Sequence, residues 1–539
     1  MNTAPPRTGV VHSVCPHDCP DTCSILSRVE DGRLVKISGN PDHPVTRGTL
    51  CRKVLNAPER VYGKERLTFP MMRDGPKGEG KFKPITWTEA IEAITGRWRK
   101  IIAQDGPHAV LPFFGSGTEG LVHGHIVGRR FFNRLGSLQL DRTICTKAGR
   151  QGYQYTMGAS VGADPTAIKD CALVIDWGVN SASTNIHQQI FLKEARRNGA
   201  RYVVVNPLSV AGAEGADAHL RPRPGSDAAL ALSMMQVMIS EDLIDRDFID
   251  RFTLGFDKLA KKVTQFTPEA AETMTGVPAD DIRNFARLYG GLKSSFIYVG
   301  PGCQRHTNGG MMLRTLACLP GLTGAWRHPG GGIYFPTSTC FPADFRALEG
   351  NALRPNPATA YNMIGLAAML DGPNVKSLYV FNGNPASVLY NQSRVRKGLS
   401  RDDLFTVVHE RQMTDTARYA DILLPATTQF EQDDLLFSYY HLSLLLNRRA
   451  IDPVGECRSN LDTFGDLARG MGFKDPCFDE NETDIIKAVL DLDFPALSGL
   501  DREKLFADGW AQAGADPVIE AFKGHRTPTP SGKIEFYSK

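Results

Sequence analysis

Apolar runs of strand length alternate with amphipathic stretches of helix length along most of the chain. Residues 171–177 form one such run, and a polar turn containing glycine follows at 178–183. A helical stretch then ends at Gly199, and residues 201–205 are the next apolar run. A buried strand, a turn, a helix and a second strand in this order predict a parallel β-α-β unit.

The same order of elements returns in the second half of the chain. Residues 377–381 are an apolar run, and the turn after them, Asn384-Pro-Ala-Ser, matches the earlier Asn180-Ser-Ala-Ser. Asp217 follows Asn180 by 37 residues. Asp421 follows Asn384 by 37 residues as well. We interpret the repetition as two related dinucleotide-binding halves, whose strand-end turns are suited to phosphate and ribose.

A different pattern occupies the N-terminal part of the chain. Between residues 25 and 39 two segments of alternating apolar and polar residues flank an Asp31-Gly32 turn. This arrangement is typical of a β-hairpin. A small β-rich domain is therefore expected before the α/β halves.

The length of 539 residues is too great for a single hydrophobic core, so several domains are expected. The predicted fold class is multidomain α/β, with two pseudo-symmetric Rossmann-like halves and the small β-rich domain. We assign the β-rich domain to residues 1–63, joined by parts of 431–539. One α/β domain takes 64–142 with 335–430, and the second takes 143–334.

The composition is that of an ordinary soluble protein. Apolar residues make up 42% and charged residues 22%, and the formal net charge is only +3. So small a net charge gives no support for binding to nucleic acid or to a membrane surface. No apolar run is long enough for a membrane span, and residues 1–14 contain neither a signal-peptide core nor paired arginines. A cytoplasmic location is the expectation.

Four of the 11 cysteines lie within the first 51 residues. Cys15, Cys19, Cys23 and Cys51 have the spacing C-x3-C-x3-C-x27-C, which suits a [4Fe–4S] cluster. Zinc remains an alternative, although its usual C-x2-C knuckles do not occur in this cluster. Four unrelated thiols are the other alternative. Lys53, two residues after Cys51, could neutralise cluster charge, contact a second cofactor, or be an ordinary surface lysine.

These features together resemble a known family. The resemblance is to the molybdopterin oxidoreductases of the dimethyl sulfoxide reductase superfamily. It is carried by the cysteine loop, by the position of Lys53 and by four further motifs. These motifs are Gly178-Val-Asn180, residues 224–227, Gly383-Asn384-Pro385 and residues 420–431. The resemblance runs from Cys15 to Lys539. It implies a [4Fe–4S] cluster and a molybdenum or tungsten ion held between two molybdopterin guanine dinucleotides, which would explain the duplication.

The resemblance also implies the residues of the site. Cys145, in a glycine-rich loop at 141–152, falls at the position of the metal ligand, and a thiolate is a soft donor suited to such a metal. The alternative is a structural core cysteine. Lys53 would lie between the cluster and a pterin, and His306 would lie near the metal unless it is a surface histidine. The implied cofactor contacts are Gly178, Asn180, Ser183, Asn206, Pro207, Gly225, Ser226, Asp227, Gly302, Gly383, Asn384, Pro385 and Asp421.

Two departures from the family pattern bear on function. Formate dehydrogenases of the family carry a histidine directly after the metal-binding residue, whereas this chain has Thr146. The family usually ends with a domain that closes over the dinucleotides. Residues 529–537 resemble the lead-in to that domain, and the sequence then stops. Either a separate chain supplies the cap, the gene is truncated, or the cofactor is bound incompletely.

The activity expected from the resemblance is two-electron oxygen-atom or sulfur-type chemistry on a small substrate. Electrons would pass through the cluster, so a redox partner protein or an electron-transfer subunit is implied. Two alternatives stay open. One is a non-redox hydratase or transhydroxylase with the same cofactors, and the other is an electron-relay subunit without the metal–pterin group.

Overall fold

The computed structural model describes residues 5, 7–160, 162–335, 343–513, 524 and 526–537. Residues 1–14 are expected to contain neither a signal-peptide core nor paired arginines, and residues 1–4 and 6 of this stretch lie outside the described residues. The strands, sheet by sheet, are Gly9–Val14, Ser24–Glu30 and Arg33–Gly39; Met71–Arg73, Phe82–Pro84, Val110–Phe114, Ser377–Phe381, Phe405–Glu410 and Ile422–Pro425; Leu173–Trp177, Arg201–Val205, Ala218–Leu220, Ser295–Val299 and Gly332–Tyr334; Gln139–Asp141 and Ala360–Asn362; Thr253–Leu254 and Ile534–Glu535; and Asp434–Phe437, Ser443–Asn447 and Trp510–Gln512.

Helices cover both faces of the two larger sheets and fill the connections between strands. The α-helices are Arg52–Leu55, Ala57–Val61, Trp87–Asp105, Val127–Leu135, Lys147–Met157, Ser181–Thr184, Gln188–Arg197, Asp227–Ser240, Arg246–Phe252, Phe256–Val263, Pro268–Thr275, Ala279–Gly291, Gly309–Thr323, Leu366–Asp371, Pro385–Val388, Gln392–Leu399, Asn460–Met471, Glu482–Leu490 and Arg502–Asp508. None of these helices combines the length and the apolar composition that a membrane crossing requires.

A five-stranded parallel sheet forms the first half. Its spatial order places Leu173–Trp177 between Arg201–Val205 and Ser295–Val299, with Ala218–Leu220 and Gly332–Tyr334 at the edges. This is the order of a doubly wound sheet, in which strands are added first on one side of the first strand and then on its other side. Every residue of Leu173–Trp177 is buried, as expected for a parallel strand covered on both faces.

A six-stranded sheet forms the second half and repeats this plan. Ser377–Phe381 lies between Phe405–Glu410 and Val110–Phe114, with Ile422–Pro425 beyond Phe405–Glu410. The two remaining strands are antiparallel additions at one edge. The predicted pseudo-symmetric Rossmann-like halves are confirmed by this topology.

The two halves also share side-chain contacts at equivalent positions. Asp217 accepts a hydrogen bond from the backbone N–H of Tyr202 at 2.7 Å. Asp421 accepts the corresponding bond from Thr406 at 2.7 Å. In each half the carboxylate fixes the start of the second strand against the segment that leads to the third. The repeated Ala-Asp motif is thus explained by strand pairing within each half.

The N-terminal β-rich unit is a three-stranded antiparallel sheet. Asp31 and Gly32 have φ values of 51° and 75°, so both central residues of the predicted hairpin turn adopt left-handed conformations. The sheet packs against the later strand Ser443–Asn447: the side chain of Asn447 accepts a hydrogen bond from the backbone N–H of Val14 at 2.8 Å. The C-terminal part of the chain therefore returns to this unit.

One local prediction differs from the structure. Residues 141–152 were expected to form a glycine-rich loop, but the helix Lys147–Met157 begins inside that segment. A Cβ atom at Gly152 would lie 1.7 Å from the carbonyl oxygen of Gly310, and one at Gly149 would lie 2.7 Å from the side chain of Gln304. The glycines at 149 and 152 therefore permit the close approach of the helix Gly309–Thr323 and of the turn before it.

Each of the two larger sheets has a switch point at its carboxyl edge. The turn after Leu173–Trp177 and the turn after Ser295–Val299 diverge at the carboxyl edge of the first sheet. The turns after Ser377–Phe381 and Val110–Phe114 do the same in the second sheet. Ligands of doubly wound sheets bind in such crevices, so the fold provides two candidate sites.

Candidate active site and cofactor cavities

The four N-terminal cysteines line one cavity of about 420 Å³. Cys15 follows the first strand and Cys23 precedes the second, and the backbone N–H of Cys15 donates to the carbonyl of Cys23 at 2.9 Å. Cys19 lies on the loop between them, and Cys51 begins the short helix Arg52–Leu55. The sheet thus brings together three thiols from one loop and a fourth from a distant turn.

The electrostatics of this group suit a bound cluster. Burial, with a further contribution from the nearby Cys51 thiol, raises the pKa of Cys15 to about 12. Burial and the neighbouring thiols raise the pKa of Cys19 and Cys23 as well. The thiols of Cys15, Cys19 and Cys23 therefore stay protonated in the bare protein, whereas iron would ionise them by coordination. All four are free of disulfides, so the donor set fits a cubane cluster.

Asp21 anchors the cysteine loop to the first half. Its carboxylate lies 3.0 Å from Nδ1 of His187 and accepts a hydrogen bond from Asn185. Its backbone carbonyl lies 3.0 Å from Nε2 of His441. Because Asp21, His187 and His441 are all buried, the loop is fixed from both sides.

Several residues predicted for the site line the same cavity as the cysteines. They are Lys53, Cys145, Gly178, Asn180 and Ser183. The side-chain oxygen of Asn180 is buried and has no hydrogen-bond partner among the described residues. A buried acceptor on a residue that lines a cavity is expected to gain a partner from a bound ligand, since leaving it unsatisfied is costly.

The loop that contains Cys145 is held in place by the turn after the strand Ser295–Val299. Gln304 donates a hydrogen bond to the carbonyl of Cys145, and Arg305 donates one to the carbonyl of Ile144. The side-chain oxygen of Gln304 also accepts from the backbone N–H of Gly149 at 2.6 Å. The turn after Ser295–Val299, predicted to lie near the metal, thus positions the Cys145 loop through its side chains.

The side chain of Cys145 is exposed to cavity space, which does not fit a packed core cysteine. Burial of its surroundings and the carboxylates of Asp18 and Glu119 raise its pKa to about 11. As a free thiol it would be a weak nucleophile at neutral pH. A bound metal ion would deprotonate it, so the donor chemistry fits a ligand position.

A second cavity of about 470 Å³ meets the first at Cys145. Asp18, Cys145, Thr146 and Tyr439 line both cavities. The hydroxyl of Tyr439 donates to the carboxylate of Asp18 at 2.6 Å. The junction of the two cavities is therefore a polar neck with Cys145 in its wall.

A charged group lies in the second cavity beside this neck. Glu119 is 3.6 Å from His125 and 3.4 Å from Arg142, and Arg142 donates to the hydroxyl of Ser116 at 2.9 Å. Although burial alone would raise the pKa of Glu119, the hydrogen bond with His125 and the charge of Arg142 lower it to about 2. Glu119 is thus an anion paired with a fixed cation.

Other predicted residues lie away from these cavities. His306 is exposed and lies beside Gly225, where a Cβ atom would be 3.4 Å from its ring. The carboxylate of Asp227 accepts from the indole of Trp177 at 2.9 Å, and Ser226 donates to the carbonyl of Arg223 at 2.6 Å. Protein contacts thus already engage the polar groups of Asp227 and Ser226. The predicted role of these two residues in cofactor binding rests on the resemblance.

The remaining predicted contacts are also engaged by the protein. Asn206 accepts from the backbone N–H of Leu208 at 3.0 Å, and the carbonyl of Pro207 accepts from Arg221. Gly302 packs against the carbonyl of Gly178. In the second half, Gly383 packs against Gly115, Pro385 opens a short helix, and Asn384 is bound by Thr416. Asp421 forms ion pairs with Arg73 and Lys77, each at 2.9 Å.

A polar group that the sequence analysis missed lies at the carboxyl edge of the second sheet. Glu410 ends the strand Phe405–Glu410 and Arg411 follows it, and with His17 and Gln429 they line a small cavity of about 80 Å³. Burial raises the pKa of Glu410. The duplication could have identified this acid, because Glu410 follows Asn384 by the same 26 residues that separate Asn206 from Asn180.

Comparison with known protein families agrees with this architecture. The model of the molybdopterin oxidoreductase family matches residues 66–469, and that of the molybdopterin oxidoreductase Fe4S4 domain matches residues 8–63. The chain belongs to the molybdopterin oxidoreductase family. It is an enzyme whose cofactors are a [4Fe–4S] cluster and a molybdenum– or tungsten–pterin group.

Individual relatives show the range of activities within this similarity. The chain is 42% identical over 537 residues to the probable oxidoreductase YoaE of Bacillus subtilis, covering 99% of this chain and 78% of that protein. It is 28% identical to the dimethyl sulfoxide reductase DmsA of Escherichia coli, covering 98% and 74% respectively. The acetylene hydratase of Pelobacter acetylenicus has the same fold, with a TM-score of 0.81 at 24% identity, covering 98% of this chain and 77% of that one.

Proposed function

We propose that this chain reduces a small neutral oxide by oxygen-atom transfer, or carries out the analogous sulfur chemistry, at a metal ligated by Cys145. The observation that carries the proposal is the position of Cys145 at the junction of two cavities. One cavity is lined by the cluster cysteines, and the other is open to a substrate. The metal would thereby face an electron supply on one side and a reactant on the other.

The cofactors would be distributed over the two halves. Cys15, Cys19, Cys23 and Cys51 would hold the cluster. The free oxygen of Asn180 supports one pterin dinucleotide on the first half, and Glu410 with Arg411 supports a second on the other half. When bound, the metal–pterin group supplies a centre that exchanges an atom and two electrons with the substrate.

The residues of the second cavity would orient the substrate. Arg142, held by Glu119 and Ser116, presents a fixed positive charge toward the cavity, and Tyr439 adds a hydroxyl at the neck. Fixed donors of this kind stabilise negative charge that develops on a departing oxygen. The overall reaction consumes two electrons and two protons and releases the reduced compound and water.

The electrons would come from a redox partner protein or an electron-transfer subunit. They would enter one at a time through the cluster, with Lys53 between the cluster and the pterin.

The test is turnover by anaerobically purified holoenzyme with reduced methyl viologen as the electron donor. A panel of sulfoxides, N-oxides and polysulfide should include at least one compound whose addition oxidises the viologen. Hydration of an unsaturated compound without any donor would instead favour the hydratase alternative. Iron without molybdenum or tungsten in an enzyme made with sufficient metal would favour the electron-relay alternative.

A further inference from the structure

A third cavity, of about 260 Å³, adjoins the cavity that contains Cys145. Arg129, Leu140 and Glu349 line both, so these three side chains form the partition. Leu140 lies on the strand Gln139–Asp141, five residues before Cys145. The third cavity is therefore a direct neighbour of the proposed reaction site.

Two of the three partition residues form an ion pair. Arg129 and Glu349 are 2.9 Å apart, and their side chains are 33% and 12% exposed. The guanidinium of Arg129 also lies 5.6 Å from the ring centroid of Phe114, which lines the third cavity. A partly exposed ion pair contributes little to stability, so a substrate group could displace it at small cost.

The wall of the third cavity contains a group of hydrophobic residues beside polar and charged ones. The hydrophobic members are Pro112, Phe114, Phe132, Leu138 and Leu140. The polar members are engaged within the protein: Asn133 donates to Asn351 at 2.7 Å and accepts from Gln139 at 3.1 Å, and Arg346 pairs with Asp344 at 2.6 Å. The hydrophobic side chains are therefore the part of the wall that is left to contact a ligand, and they favour an apolar group.

We propose that the third cavity is a second compartment of the substrate site, and that it receives an aromatic or branched apolar substituent of the oxide. The proposal rests on the proposed function of the Cys145 cavity. The polar end of the substrate lies against Arg142 and Tyr439, while its apolar substituent passes the Arg129–Glu349 pair. The preferred substrates are thus aryl or bulky alkyl oxides rather than the smallest members of the class.

The test compares two substrates of the holoenzyme with reduced methyl viologen as donor: methyl phenyl sulfoxide and dimethyl sulfoxide. Leu138→Trp places an indole in the third cavity, since Leu138 lines that cavity and not the one at Cys145. The ratio of kcat/KM for the phenyl compound to that for the dimethyl compound should fall by about tenfold, mainly through KM. Leu138→Phe should give a smaller fall in the same direction, and it serves if the tryptophan variant does not fold.

The matched control is Leu254→Trp, at an exposed leucine outside both cavities. It should leave the ratio at the wild-type value. A second measurement uses 4-fluorophenyl methyl sulfide, which has no oxygen to transfer. Its fluorine resonance should broaden saturably with wild-type protein and with Leu254→Trp, and the broadening should be lost with Leu138→Trp.

The outcomes separate the two proposals. An unchanged substrate ratio and unchanged fluorine broadening in folded Leu138 variants would overturn the second compartment and leave the proposed function intact. Failure of the enzyme to reduce any oxide would refute the proposed function. The fluorine experiment would still decide whether the cavity binds an aryl group.

Discussion

Asn180 and Asn384 begin equivalent helices, yet only the carboxamide of Asn384 is held by its own half. Their backbone angles are similar, with φ and ψ of −116° and 71° at Asn180 and −134° and 71° at Asn384. The side-chain oxygen of Asn384 accepts from the backbone N–H and the hydroxyl of Thr416. At the position equivalent to Thr416, 32 residues after Asn180, the chain has Gly212.

This difference predicts opposite phenotypes for the two asparagines. Asn180→Ala should lower the molybdenum or tungsten content after gel filtration and leave stability nearly unchanged, because no protein contact of its oxygen is lost. Asn384→Ala should lower the free energy of unfolding by about 1 kcal/mol, because Thr416 loses its acceptor. Equal metal retention by Asn180→Ala and wild type would show that Asn180 does not bind the cofactor.

The cluster assignment predicts the iron content of single cysteine variants. Cys51→Ser should lose the charge-transfer absorption of the cluster and most of the four irons per chain that a cubane requires. Cys477→Ser is the matched control, because Cys477 is also partly exposed but lies outside the cluster cavity. One zinc per chain in place of iron in the wild-type protein would contradict the assignment.

Lys53 is predicted to assist electron transfer without holding the cluster. Lys53→Ala should slow turnover with reduced methyl viologen, because a positive charge beside the path is lost. Iron content should remain at the wild-type level. Lys64→Ala is the control, since Lys64 is exposed nearby but does not line the cavity. Equal rates for wild type and Lys53→Ala would assign Lys53 to the solvated surface.

Asp176 is predicted to make stability depend on pH. Burial raises its pKa to about 6, against the opposing effect of hydrogen bonds from Ser181, Tyr202 and Gln188. The unfolded carboxyl has a pKa of ~3.9, so the folded state binds the proton more tightly. Its contribution to stability is therefore complete below about pH 4 and is lost as the pH rises through about 6.

Asp176→Asn removes this titration. Between pH 4 and pH 7, the free energy of unfolding of wild type should fall by roughly 2–3 kcal/mol relative to that of the variant. This change is expected whatever the difference between the two proteins at pH 4. Thermal melts of both proteins at the two pH values measure the change. A difference in melting temperature that is the same at both values would contradict the buried-acid account.

The sequence predicted the parts of the fold that depend on local pattern. The central strands are confirmed to within a few residues, because buried parallel strands are short apolar runs between turns. The hairpin at Asp31 and Gly32 is confirmed for a similar local reason. The pseudo-symmetry was also visible, since it repeats residue spacings.

The candidate site was less accessible to sequence reasoning, because it depends on contacts between distant segments. Gln304 positions Cys145 from 159 residues away. Tyr439 meets Asp18 across 421 residues, and Glu349 meets Arg129 across 220. No spacing rule brings such pairs together. The helix Lys147–Met157 was predicted as loop for the same reason, since the helix that its glycines approach lies far along the chain.

The central claim is that Cys145 ligates the metal, and X-ray absorption at the molybdenum or tungsten edge tests it most directly. Spectra of metal-loaded wild type, Cys145→Ala and the control Cys477→Ala should be compared by the number of sulfur neighbours. The account predicts one sulfur fewer in Cys145→Ala than in the other two proteins, with the iron–sulfur absorption unchanged in all three. An equal number of sulfur neighbours in metal-loaded Cys145→Ala and wild type would contradict it.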